Sequence, residues 1–182
     1  MDIEGQERLK DAANLSADID LDFDASYSRA RDIDLTMVIL KVCHPRIGMD
    51  WSEEFANRMA AEYRIFLAMK AAFPTEWLPP SQIMDEFWHN HILDTRAYQA
   101  DCHNLTGRFI HHYPYFGMRD RDDYVALVQA FQAEAALYRK HVGREPPPDL
   151  WITRITVADV GRLVGGEFAN PAAAAAAAAF AD

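Results

Sequence analysis

The chain has 182 residues, half of them hydrophobic and a quarter charged, which suits one soluble globular domain with a core of ordinary size. It carries 18 basic and 28 acidic residues, so the formal charge is −10, and 10 of the acids fall within residues 1–35 against 4 bases. That balance argues against duplex nucleic acid and anionic membrane as partners, and no apolar run approaches the ~20 residues needed to span a bilayer.

The first residues, MDIEGQERLK, have no apolar signal-peptide core. With two cysteines, Cys43 and Cys102, the expectation is reduced thiols in a cytoplasmic protein. Residues 1–33 read as an acidic N-terminal arm. Within it Ile19 to Asp24 alternates apolar and acidic, the pattern of an extended segment that docks Ile19, Leu21 and Phe23.

From Asp34 the period becomes helical. Leu35, Val38, Ile39 and Val42 mark a first helix, stopped by His44-Pro45, with Gly48 in the loop. Ser52 is a candidate N-cap for a second, whose apolar face is Phe55, Met59, Tyr63, Phe66 and Phe73. Pro79-Pro80-Ser81 is a stop followed by a cap, and the next helix is expected to run unbroken from about Gln82 to Asn104, with Gly107 at its exit. An aromatic loop, Phe109 to Gly117, follows. Asp120, Asp122 and Asp123 open a last long helix with Tyr124, Val128, Phe131, Ala135, Tyr138 and Val142 inward, stopped by Gly143 and Pro146-Pro147-Pro148. Trp151, Ile152, Ile155 and Val157 suggest a short docking segment, and Val160 to Val164 a further short helix. Ala172–Ala179 belongs to a low-complexity tail over 166–182. The expected architecture is all-α: one domain over 34–165 with about four main helices and an aromatic-rich core.

Five of the seven histidines, His89, His91, His103, His111 and His112, fall within 24 residues. On a helical wheel of ~100° per residue, His91 lies in the arc of Met84, Trp88, Ile92, Tyr98 and Cys102, and His89 lies far round from it. An H-x-H pair in a regular helix cannot chelate one ion. Asp85 and His89 are four apart, a chelating spacing, and His91 and Asp94 are three apart. His111 and His112, on a loop, could join either pair. A mixed site of Asp85, His89, His91, Asp94, His111 and His112 follows, suited to Zn, Fe, Mn or Cu without distinguishing them. The plainer readings stay open. His91 also reads as a hydrogen-bonded core histidine, Asp85–His89 as a pair that only orients a ring, and His111-His112 as a packing loop. His103 near a helix C-terminus has a favourable dipole contact, and His44 and His141 ask for no ligand role. Cys102 reads as a small core residue. Nucleotide-binding glycine motifs and a nucleophile elbow are absent from the sequence.

Asp85, Trp88, His89, His91, Tyr98, Asp101, Cys102 and Gly107 together make the pattern D-x-x-W-H-x-H, Y-x-x-D-C and a glycine. This resembles the glycine-rich domain-containing protein family. Phe109 to Gly117, His44-Pro45 with Gly48 and Trp51, and Tyr63-Arg64 with Phe66-Leu67 extend the likeness across about 34–151. The resemblance implies a small helical domain and no defined reaction, and the alanine tail departs from the family's glycine-rich end. Three functions compete at this level: a metal-binding protein or metal-dependent enzyme acting on an unknown small molecule; an interaction module whose histidines and aromatics are a polar core; and a cofactor-free acid/base enzyme built on Asp85–His89.

Overall fold

A computed structural model describes residues 22–151, and these contain helices and no strands. The helices are α1 (Phe23–Arg31), α2 (Thr36–Cys43), α3 (Glu53–Ala72), α4 (Gln82–Leu93), α5 (Thr95–Thr106), α6 (Arg121–Val142) and α7 (Pro148–Trp151). None of them is long and apolar enough to cross a membrane. The expected helix at Val160–Val164, the alanine tail and most of the acidic arm lie outside the described residues, as do Ile152, Ile155 and Val157 of the docking segment.

The extended reading of Ile19–Asp24 fails at its last residues. Phe23 and Asp24 begin α1, because the Asp22 carboxylate caps the helix by accepting from the Ala25 N–H at 2.8 Å. Asp24 in the first turn and Arg29 and Arg31 in the last suit the helix dipole. Asp22 and Asp24, read as part of an extended segment, therefore start a helix, and Phe23, Ser26 and Ala30 bury its inner face.

Helix α3 is the hub, with α1, α2, α4 and α5 packed against it. Ser52 caps it as expected, through the Phe55 N–H. Its burial is wider than one stripe: Tyr63, Ile65, Phe66, Leu67, Ala68 and Met69 are all inside. Between α2 and α3 the chain doubles back tightly enough that the N–H groups of Met49 and Trp51 both donate to the Val42 carbonyl. A Cβ on Gly48 would overlap the Lys41 carbonyl oxygen, so that approach admits only glycine. Glu62, on α3, ties the C-terminal elements to the hub. Its carboxylate accepts from the Tyr138 hydroxyl at 2.9 Å, from the Trp151 indole at 2.7 Å and from Arg144.

Two further sequence expectations need correction. The helix foreseen over Gln82–Asn104 is broken at Asp94, whose backbone leaves the helical region (φ −82°, ψ 74°). The Asp94 carboxylate accepts from the Ala97 N–H at 3.2 Å, so the residue ends α4 and caps α5. The inward face of α6 is also shifted. Tyr124 and Tyr138 are buried as expected, but between them Leu127, Ala130 and Glu134 face the core, with Val128, Phe131 and Ala135 on its margin.

Candidate metal centre

Helix α4 starts where Ser81 caps it by accepting from the Met84 N–H, and the same hydroxyl donates to the Leu150 carbonyl. This ties the start of α4 to α7. Phe87, Trp88 and His91 then turn inward, while Asp85 and His89, one turn apart, share the outer flank.

The loop after α5 returns to that flank. Gly107 leaves the helix in the left-handed region (φ +75°), where no Cβ would clash, so the conformation alone explains the glycine. The Trp88 indole N–H donates to the Tyr98 hydroxyl at 3.0 Å, and that hydroxyl donates to the Ile110 carbonyl at 2.6 Å. This chain pins the loop two residues before His112. The His112 ring stands edge-on to Trp88, with centroids 4.6 Å apart, and its Nε2 lies 2.6 Å from Asp85 Oδ1. His89 Nδ1 lies 3.5 Å from the other oxygen, Oδ2, and the two imidazoles are 4.8 Å apart.

Asp85, His89 and His112 thus offer three ligating atoms, all within 4.8 Å of one another. The side chains grade outward, 12% exposed at His112, 30% at Asp85 and 46% at His89. His112 is backed by Trp88, and His89 is the most exposed of the three. The gap between ligand atoms around a tetrahedral ion with bonds of ~2.0–2.1 Å is ~3.4 Å, close to the 3.5 Å between Asp85 Oδ2 and His89 Nδ1.

The remaining candidates are elsewhere. His91, with 2% of its side chain exposed, has both ring nitrogens occupied: Nδ1 is 2.9 Å from the Tyr63 hydroxyl and Nε2 is 3.0 Å from Asp101 Oδ2. The carboxylate can only accept, so Nε2 carries the proton and Nδ1 accepts from Tyr63. Burial lowers the imidazole pKa below its usual value, with Asp101 opposing, and burial holds the Tyr63 phenol well above its own. The break at Asp94 makes this possible. Ten residues of unbroken helix span ~15 Å, too far for Asp101 to reach His91. Asp94 itself is spent as the cap of α5 and acts on His91 only through its charge, with no side-chain bond to it among the described residues. His111 is exposed and lies against the Phe109 ring, 5.0 Å between centroids. Cys102 is buried, and burial pushes its thiol up, away from a thiolate ligand.

Sequence reasoning did not find the partners Tyr63 and Asp101 or the Tyr98 bridge. Asp101 and Tyr98 were visible as motif residues, but the motif carries no sign of which histidine each serves. It placed Asp123 at the start of the last helix but missed its bonds to the loop; this carboxyl is held to about pKa 2, first by Arg119. Its carboxylate accepts from the Gly117 N–H at 2.8 Å and so closes the aromatic loop onto α6.

Residues 40–136 match the model of the UCP032817-like family, and the chain belongs to that family. The matched span holds the cluster, the His91 pair and the Tyr98 bridge, and the family description carries no activity. No curated protein and no solved structure matches the chain.

Proposed function

We propose that this chain binds a divalent transition-metal ion between Asp85, His89 and His112. The supporting observation is the convergence of one carboxylate and two imidazoles, two from α4 and one from a pinned loop, at an open edge. Two histidines and one carboxylate suit Zn, Fe, Mn or Cu, and three protein ligands leave positions for water or substrate. A Lewis-acidic ion held by these three residues would lower the pKa of a bound water and so could supply a hydrolytic nucleophile. Trp88 and the Tyr98 bridge would act by orienting His112, as outer-shell groups do around metal sites. His91, His111 and Asp94 drop out of the ligand set. A reducing, cytosolic setting belongs to the same reading and is supported by the two free thiols.

The 2.6 Å contact between His112 and Asp85 favours a second reading, a latch that fastens the loop to α4 with no ion involved. Elemental analysis of protein purified without chelator separates the two. The metal reading expects near one equivalent in the native chain and in His91→Gln, and little in Asp85→Asn or His112→Ala. No metal in the native chain, even after reconstitution, would leave the latch.

A further inference from the structure

A second feature of α5 has no part in the metal reading. Arg96, Gln99, Ala100 and His103 recur at helical spacing and form one line along the helix. With Gly107, Arg108 and Phe109 of the following turn, they line a cleft of about 420 Å³. That volume lies within the ~300–1,000 Å³ of small-molecule sites.

The lining contains two guanidinium groups and an imidazole, and no carboxylate. Arg58, Arg119, Arg139 and Arg144 each hold an acid. The side chains of Arg96 and Arg108 make no hydrogen bond or ion pair among the described residues. In a chain of net charge −10, this is a local cationic recess. Its wall is held in advance. The Arg108 N–H donates to Thr106 Oγ1 at 3.1 Å, and the Tyr98 hydroxyl fixes the Ile110 carbonyl. Phe109 stands edge-on to Tyr98 at 5.2 Å between centroids and remains 43% exposed, so a ring surface borders the cations.

We propose that this cleft binds a small molecule in which an oxyanion, phosphate or carboxylate, is attached to a flat ring. Guanidinium forks match the planar spacing of such oxygens, and two of them line this cleft. The oxyanion lies between Arg96 and Arg108, Gln99 and His103 supply further donors, and the ring lies against Phe109. None of Asp85, His89 and His112 lines this cleft, so the proposal stands whether or not a metal binds.

The test is titration of the full chain, followed by amide resonances, with phenyl phosphate, benzoate, inorganic phosphate and the neutral control phenol. Phenyl phosphate or benzoate is expected to shift residues around 96–109, and phenol is not. Whichever anion binds better assigns the oxyanion. Arg96→Gln and Arg108→Gln should each weaken binding by about tenfold, the loss of a charge-assisted contact. Arg108→Lys should lose less. Phe109→Ala should weaken phenyl phosphate and leave inorganic phosphate unchanged. Neither guanidinium holds anything in the fold, so unchanged melting curves are expected of both variants. No shift from any anion at about 10 mM, equal response to phenol, or binding unchanged in both Arg→Gln forms would overturn the proposal.

Discussion

Replacing Tyr98 by phenylalanine removes one oxygen and leaves the ring in place. That oxygen accepts from Trp88 Nε1 at 3.0 Å and donates to the Ile110 carbonyl at 2.6 Å, and all three residues are buried. The variant therefore leaves a donor and an acceptor inside the protein without partners. Each such group costs about 1–3 kcal/mol, and partial relaxation of the loop toward water recovers some of it. The expected loss is about 2–4 kcal/mol, which at a urea m-value of ~2 kcal/mol/M lowers the unfolding midpoint by roughly 1–2 M. The exposed Tyr115→Phe is the control and should stay within about 0.5 kcal/mol. The bridge also sets where His112 stands, so metal affinity should fall in Tyr98→Phe and not in the control. A Tyr98→Phe midpoint equal to that of the native chain would refute the bridge as the loop's anchor.

Two further predictions concern pH. Burial puts the folded pKa of His91 below 6.5, so the unfolded chain takes up this proton first as the pH falls. Stability should accordingly decline below pH 6.5; His91→Gln should lose that part of the slope, cost about 2 kcal/mol at neutral pH and keep its metal. A native-like acid slope in the variant would contradict this. Glu134 behaves in the opposite sense: burial holds its carboxyl well above 4.5, with Lys70 acting against it, and Oε1 has no hydrogen-bond partner. Its neutral form contributes fully below pH 4.5, and that contribution is lost as the pH rises toward the folded pKa. Glu134→Gln should thus be more stable than the native chain at neutral pH, by a margin that closes in acid; destabilisation at neutral pH in urea melts would show that the ionised carboxylate is needed.

The sequence was most readable at helix ends. Ser52, Ser81 and Asp120 cap their helices, and Gly107 and Gly143 close theirs in the left-handed region. These signals are local, carried by a side chain that reaches three residues along. The break at Asp94 was harder, because no glycine or proline marks it and the apolar run from Trp88 through Tyr98 to Cys102 continues across it. Only the capping ability of Asp94 signalled a restart, and that competes with its reading as a ligand. The error carried into the site. On one long helix His91 and Asp94 look like a pair, whereas the bend gives His91 to Asp101. Asp85 with His89 was legible because both lie in an unbroken turn. The choice of His112 over His111 was not, since it depends on the Tyr98–Ile110 bond that orients the loop. The face of α6 was misread because periodicity weighs apolar residues alone, and Glu134 is buried there despite its carboxyl group.

The metal claim is tested most directly by anomalous diffraction from crystals of the full chain equilibrated with Zn(II) or Mn(II). The expected result is one peak at bonding distance, ~2.0–2.2 Å, from Asp85, His89 and His112, with His91 still bonded to Tyr63 and Asp101. A featureless map at that cluster, or a peak seated on His91 with Asp101, would contradict the assignment.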